Sequence, residues 1–126
     1  MKLSMIQNLA IWGDSLLKGI IFDEKTSRYK PLKTCSVNLF SKAFPFTVKN
    51  NSRFGCTAPK ALENLQASLN NGLQAEVALL EFGGNDCDYN WSEISRNPEA
   101  HHEPHTPFQT FCSTMEKMAD LLLSHS

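Results

Sequence analysis

Short apolar runs alternate along the chain with amphipathic stretches. The run Ile6–Trp12 is mostly apolar and stops at Gly13, the run Glu76–Phe82 reads E-V-A-L-L-E-F, and Phe46–Lys49 alternates apolar and polar residues. Runs of this length that end at turn residues are typical of β-strands. We therefore predict three strands, and we expect the first of them to be buried.

Between these strands, apolar residues recur at the spacing of one helix face. The predicted helices run over 16–21, 37–44, 57–69 and 108–123, with Thr57 as an N-cap and with Phe108, Phe111, Met115, Met118 and Leu122 forming a core-packing stripe on the last helix. The segments 23–31 and 87–107 are polar or rich in Pro, His and Asn, and are predicted to be loops. Strands that alternate with helices predict a single α/β domain over residues 1–126, with a parallel sheet and helices on both faces.

Composition and charge exclude several classes of partner. The 126 residues are 41% hydrophobic and 20% charged with a formal net charge of −1, so nothing favours nucleic acid or an anionic membrane. No apolar run approaches the roughly 20 residues that span a bilayer. The N-terminus lacks the longer apolar core and cleavage site of a signal peptide, so we expect a cytoplasmic protein. Its cysteines form no C-x-x-C pair and are expected to be reduced, with Cys56 and Cys87 as small buried residues rather than redox centres.

Each predicted strand is followed by a polar turn that contains glycine. The turns are Gly13–Ser15, Asn50–Gly55 and Gly83–Asp86. In open α/β sheets, ligands bind outside the carboxyl ends of the strands, so all three turns fall where an active site belongs.

The residues in these turns are those that acyl transfer needs. A serine at a strand-to-helix turn is exposed near helix N–H groups and can act as a nucleophile. A tetrahedral oxyanion needs two or three aimed hydrogen-bond donors. The N–H of Ser15, the N–H of Gly55 and the side-chain amide of Asn85 are the predicted donors, and glycine at position 55 lets a substrate come close to the backbone.

The same turns resemble, in order, the sequence blocks of the GDSL (SGNH) hydrolases. Residues 11–16, I-W-G-D-S-L, are similar to the block with the nucleophilic serine; residues 50–55, N-N-S-R-F-G, to the block with the oxyanion glycine; and residues 83–86, G-G-N-D, to the block with the oxyanion asparagine. The resemblance implies a flavodoxin-like three-layer α/β/α sandwich, no cofactor, and hydrolysis of small acyl esters. It assigns the site to Ser15, Gly55 and Asn85.

One block of the family has no counterpart here. The family takes its general base from a D-x-x-H near the C-terminus, and no D-x-x-H occurs in this sequence. We therefore expect an N-terminal portion of such a hydrolase, truncated at the C-terminus, which by itself is nearly inactive.

Simpler interpretations compete with these roles. Taken alone, Ser15 could merely start a helix and Asn85 could cap a turn, but the three blocks together favour the catalytic assignment. Asp14 and Asp86 lie beside these two residues and are predicted to hold their own turns.

The histidine-rich segment raises a metal hypothesis. His101, His102 and His105 with Glu103 are zinc-ligand types that could also replace the missing base. A solvated, proline-containing loop is the favoured interpretation, so no metal is predicted. In the family the loop after the third block often borders the substrate, so Trp91 and His105 are predicted to touch substrate without being catalytic.

A second function class is a non-catalytic fragment that binds a ligand or another chain. If the three strands follow the order 2-1-3, the strand Glu76–Phe82 is an unpaired edge, and such edges invite pairing. We then expect homo-oligomers or poor solubility.

Overall fold

The regular elements of the chain are described by a computed structural model over residues 7–125. The strands are β1 (Asn8–Gly13), β2 (Ile20–Asp23), β3 (Arg28–Pro31), β4 (Thr47–Asn50) and β5 (Val77–Glu81). The helices are α1 (Ser15–Lys18), α2 (Ser36–Ala43), α3 (Ala58–Asn70), α4 (Trp91–Arg96) and α5 (Phe108–Ser124). The predicted start of the first strand, Ile6, lies outside the described residues.

Three parallel strands in the order β4-β1-β5 form the main sheet. β1 pairs with β4 through Leu9 opposite Val48, and with β5 through Ile11 opposite Leu79. The most buried of the three strands, β1, therefore lies in the centre, where both of its edges are hydrogen-bonded. This confirms the predicted order 2-1-3 for the three strands recognised in the sequence, and it places their polar turns at one end of the sheet.

Alternate residues of β1 pack into two separate hydrophobic cores. Ala10 and Trp12 are buried against α3 and α5, where Leu65 and Met118 are fully covered. Ile11 faces the other side and packs with Cys35 and Val37 at the start of α2. Because strand side chains alternate between faces, one strand connects both helical layers. The fold is thus a three-layer α/β/α arrangement around a parallel sheet, as predicted.

The segment after the first turn differs from the prediction. A helix over 16–21 and a loop over 23–31 were expected, but α1 ends at Lys18 and residues 20–31 form the antiparallel β2–β3 hairpin. Gly19 ends the helix in a left-handed conformation, with φ +75°, and a Cβ there would lie 2.4 Å from the Cβ of Cys35. Ile20 and Ile21 fit helical spacing, but they are β-branched and follow this C-cap, so they start a strand.

The predicted loop over 87–107 contains one short helix, α4, so this part of the prediction was wrong. Asn90 caps it by accepting a hydrogen bond from the N–H of Glu93 at 3.3 Å. A six-residue helix carries too few apolar repeats to be visible as a stripe in the sequence. The remainder of the segment is irregular, as expected.

The long helix α5 has the predicted bounds within one residue but a shorter buried stripe. Phe111, Met115 and Met118 pack on the α3 side of the sheet. Phe108, predicted to be part of the core stripe, is 72% exposed because it is the first residue of α5. Within residues 7–125, no helix has both the length and the apolar character needed to cross a bilayer.

Candidate active site

The nucleophile candidate lies at the first turn of α1. Ser15 is the first residue of the helix and directly follows β1 and the N-cap residue Asp14. The carboxylate Oδ1 of Asp14 accepts a hydrogen bond from the N–H of Leu16 at 2.9 Å, so Asp14 holds this turn as predicted. Ser15 is half-buried, and its N–H donates to no other group in the described part of the chain.

The second turn is tied to the first by backbone and side-chain hydrogen bonds. The N–H of Arg53 donates to the carbonyl of Gly13 at 3.0 Å. The side-chain amide of Asn50 donates to the carbonyl of Leu17 at 2.9 Å, and its oxygen accepts from the N–H of Ser52 at 3.0 Å. The asparagine-containing turn is therefore fixed against the helix that carries Ser15.

Gly55 leaves open space at the end of the second turn. Its φ is +70°, and a Cβ built on it would meet nothing within 4 Å. Its N–H donates to no acceptor among residues 7–125. A reacting carbonyl can therefore approach the backbone here without steric hindrance.

Asn85 lies between the other two turns. Its side-chain nitrogen Nδ2 donates to the carbonyl of Cys56 at 3.1 Å and contacts Oδ2 of Asp14 at 3.4 Å. The contact with Asp14 is long for a hydrogen bond, so it is the weaker of the two and the one that an incoming oxyanion would replace as acceptor. The structure thus brings the turns of Ser15, Gly55 and Asn85 together at the carboxyl ends of β1, β4 and β5.

Asp86 holds more than its own loop. It is only 2% exposed, and its Oδ1 accepts hydrogen bonds from the N–H of Ala58 at 2.8 Å and the hydroxyl of Thr106 at 2.7 Å. Thr57 occupies the N-cap position of α3 but makes no side-chain cap, so the distant Asp86 supplies it instead. The turn that carries Asn85 is therefore clamped between the start of α3 and the segment before α5.

Glu81 is a site residue that the sequence analysis did not select. It ends β5, and its Oε1 lies 3.5 Å from the N–H of Asp14. A Cβ on Gly13 would come within 3.1 Å of both Glu81 Oε1 and the hydroxyl of Ser52, so these polar groups lie directly behind the nucleophile turn. The sequence offered one signal for this residue: Glu81 is the acidic residue that ends the otherwise apolar strand β5.

The environment of Glu81 disfavours its ionised form. Burial raises its pKa first, and the hydrogen-bonded carboxyl of Asp14 raises the pKa further. The carboxyl group of Glu81 is therefore protonated more readily than that of an exposed glutamate. Its contact with the N–H of Asp14 connects the end of β5 to the turn of Ser15.

Replacing Glu81 by glutamine is expected to change how stability depends on pH. Because the folded-state pKa of Glu81 is raised, its stabilising contribution is full below the ordinary glutamate pKa of about 4.3 and is lost as the pH rises through the folded-state value. The wild type should therefore lose stability relative to Glu81→Gln as the pH rises above this ordinary value. Urea unfolding of both proteins from acidic to neutral pH measures the difference, and a difference that does not change with pH would contradict this prediction.

The two predicted substrate-contact residues gather around Asp88 rather than around Ser15. The indole N–H of Trp91 donates to Asp88 Oδ1 at 2.8 Å, and the backbone N–H of His105 donates to the carbonyl of Asp88, also at 2.8 Å. Both side chains are exposed, and the ring of Trp91 contacts that of Tyr89. Their contact with substrate stays a prediction.

The histidine-rich segment does not assemble ligands. His101 Nε2 lies 2.7 Å from Glu103 Oε1, whereas His102 Nε2 lies 2.7 Å from the carbonyl of Asn97. In the part of the chain that the structure describes, no three His, Cys, Asp or Glu side chains are grouped so as to hold a metal ion. The zinc hypothesis therefore gains no support from the geometry.

The two cysteines beside the turns differ. Cys56 is buried, as predicted, and burial raises the pKa of its thiol, which keeps it protonated at neutral pH. Cys87 was also expected to be buried but is exposed, because the turn it follows faces solvent. Its sulfur contacts only the carbonyl of Gly84, at 3.6 Å.

The fold of the chain is similar to that of a solved structure. The lipase/acylhydrolase from Enterococcus faecalis superposes with a TM-score of 0.65 at 18% identity, over 95% of this chain and 54% of that one. The chain has a GDSL/SGNH-hydrolase-like fold. It spans about half the length of that enzyme. AlinE4, an SGNH-hydrolase family esterase, aligns with 98% of this chain and 74% of its own at 16% identity, but with a TM-score of only 0.48. No protein-family model and no curated protein matches the sequence.

This hydrolase-like fold has an apolar cavity beside the Asn85 turn. Its volume is about 320 Å³, and its lining residues are Gly83, Asp86, Cys87, Tyr89, Pro104, Thr106, Phe108 and Phe111. A second cavity of about 310 Å³ includes Asn8 and Glu76, at the amino ends of the strands. Because the polar turns lie at the carboxyl ends, only the first cavity adjoins the candidate site.

Proposed function

We propose that the chain carries the nucleophile and the oxyanion site of a serine carboxylester hydrolase that acts on small acyl esters. The observation that supports this most strongly is the position of the Asn85 amide, which contacts both the turn before Ser15 and the turn after Gly55. A hydrogen-bond donor that links a serine turn to an open glycine is what a tetrahedral intermediate requires.

Each residue has a defined role in the proposed reaction. The hydroxyl of Ser15 attacks the ester carbonyl, so a bond forms between Oγ and the acyl carbon while the bond to the alcohol oxygen breaks. The N–H groups of Ser15 and Gly55 and the side chain of Asn85 hold the negative charge on the carbonyl oxygen. Loss of one such donor typically lowers turnover by about 10²–10³-fold.

The proton of Ser15 needs an acceptor that these 126 residues do not supply as a D-x-x-H. We propose that the base comes from outside this polypeptide. Activity then belongs to a longer protein. The similar lipase/acylhydrolase is such a longer chain, since the match covers 54% of its length.

Purified wild type and Ser15→Ala are expected to hydrolyse p-nitrophenyl acetate at nearly the same slow rate. The physical reason is that a triad enzyme without its histidine typically loses about 10⁶-fold in turnover. Steady-state release of p-nitrophenol measures both proteins under identical conditions. A wild type that is clearly faster would contradict the inactivity and indicate a base in the 101–105 segment or on a second chain.

A second candidate function is a pairing module, and it is favoured by the position of β5. Within the described residues β5 is hydrogen-bonded only to β1, so its other edge is unpaired. Leu79, in the middle of β5, is 43% exposed. Light scattering at increasing concentration tests whether the chain associates. Leu79→Lys should weaken association while Phe44→Lys, at a distant exposed residue, should not; a monomer at high concentration would contradict this function.

A further inference from the structure

An exposed row of three aromatic rings lies between the hairpin and the second turn. The ring centroid of Tyr29 is 5.3 Å from those of both Phe22 and Phe54. Despite these contacts the residues remain exposed: Tyr29 is 64%, Phe22 53% and Phe54 57% exposed. Single exposed aromatic residues are ordinary, but a contiguous apolar patch indicates a binding surface.

One end of this row belongs to the proposed oxyanion turn. Phe54 directly precedes Gly55, and a Cβ on Gly55 would meet nothing within 4 Å. The backbone on the other side of Phe54 is fixed, because Arg53 donates to the carbonyl of Gly13 at 3.0 Å. The residue that carries one terminal ring of the row is therefore the sequence neighbour of the proposed oxyanion donor Gly55.

The other end of the row belongs to the β2–β3 hairpin, which is fixed to the helix of Ser15. The N–H of Leu32 donates to the carbonyl of Gly19, the C-cap residue of α1, at 2.8 Å. A salt bridge of 2.9 Å between Lys30 and Asp23 connects the two strands of the hairpin. The rings are therefore held in place relative to the nucleophile turn.

A second group of rings provides a contrast. Phe40, Phe44 and Phe46 also contact one another, with Phe44 51% exposed. Phe46 directly precedes β4 and so lies at the amino end of the parallel sheet, away from the candidate site. Of these two groups of rings, the Phe22–Tyr29–Phe54 row is the one that includes a residue of the second turn.

We propose that Phe22, Tyr29 and Phe54 bind an aromatic ring of the substrate, so that the preferred substrate is an ester of an aromatic carboxylic acid. This inference rests on the proposed esterase function. Aromatic pairs favour tilted or edge-to-face contacts at centroid distances of about 4.5–7 Å, the geometry that these rings already adopt with one another. A further ring can extend the row, whereas a saturated ring of similar size gains only the area that it buries.

The test measures binding rather than turnover, so that it can fail independently of the proposed function. Methyl benzoate and its saturated counterpart, methyl cyclohexanecarboxylate, are titrated into Ser15→Ala and followed by amide NMR shifts. Methyl benzoate should bind more tightly and shift the amides of Phe22, Tyr29, Phe54 and Gly55. Tyr29→Leu should weaken binding by about two- to tenfold, and Tyr29→Phe should restore it.

The matched control is Phe44→Leu, which removes another exposed ring, 51% exposed against 64% for Tyr29, at the other end of the sheet and should leave binding unchanged. Equal affinity for the two esters, or an unchanged affinity in Tyr29→Leu, would overturn the proposal. So would shifts at these rings that follow protein concentration without ester, because the row would then be a contact between two copies of the chain. If the ring-dependent binding is found but Ser15 is never acylated, the surface stands and the esterase assignment fails.

Discussion

Replacing Trp12 by alanine is expected to lower the free energy of unfolding by about 3–5 kcal/mol. Trp12 is 1% exposed in the central strand and packs in the core between the sheet, α3 and α5. Truncation removes the largest buried side chain of this core and leaves a cavity that the surrounding helices cannot fill. A change of this size is a large part of the roughly 5–15 kcal/mol that stabilises a typical domain.

The chain offers a matched control, because its second tryptophan is exposed. Trp91 is 63% exposed, and Trp91→Ala should cost less than about 1 kcal/mol. Trp12→Phe should cost less than half of the alanine effect, since it keeps a ring and removes the Nε1–H, which is buried without a partner. Urea midpoints of the three variants measure these differences. A similar loss in Trp12→Ala and Trp91→Ala would show that Trp12 is not the centre of the core.

Replacing Asp86 by alanine is expected to destabilise the protein by about 2–4 kcal/mol. The reason is that the N–H of Ala58 and the hydroxyl of Thr106 would both lose a buried acceptor. The buried Oδ2 has no hydrogen-bond partner among residues 7–125, and its removal offsets a small part of the loss. The same substitution should loosen the turn of the neighbouring Asn85. We therefore expect the loss of stability and the loosened turn in the same variant.

Two comparisons separate this clamp from a general effect of losing a charge. Asp86→Asn keeps an oxygen acceptor and should retain more stability than Asp86→Ala, whereas Asp120→Ala on the exposed face of α5 should change it by less than about 0.5 kcal/mol. A double-mutant cycle with Thr106→Val should give a non-additive interaction. Additive costs, or a large effect at Asp120, would contradict the clamp.

Much of the fold could be predicted because the decisive signals are local. The apolar run before Gly13 and the run before Gly83 predicted the central and edge strands, and their polar ends predicted where the candidate site lies. The hairpin could not be predicted, since Ile20 and Ile21 fit a helix face as well as a strand. Gly19 decides between them by ending α1 in a left-handed conformation, and its position leaves no room for a Cβ beside Cys35, which is distant in sequence.

The residues of the candidate site could be proposed from the sequence, but the hydrogen bonds and contacts that support them could not. Ser15, Gly55 and Asn85 each follow a strand, so the topology alone brings their turns together. The supporting contacts join residues far apart in sequence: Asp86 caps α3 at Ala58, and Glu81 lies behind Asp14. Neither pairing leaves a spacing signal, because each depends on how β5 is placed beside β1.

Peptide mapping by mass spectrometry after incubation with p-nitrophenyl acetate tests most directly whether Ser15 is an acyl acceptor inside an oxyanion site. We expect slow acetylation of Ser15 to about one equivalent, which persists because deacylation needs the same absent base, and a rate about 10²–10³-fold lower in Asn85→Ala. The p-nitrophenolate leaves as the acyl bond to Ser15 Oγ forms, and the serine proton passes to solvent. Acetylation confined to exposed groups such as Cys87, with the Ser15 peptide unmodified, would show that Ser15 is not the acyl acceptor.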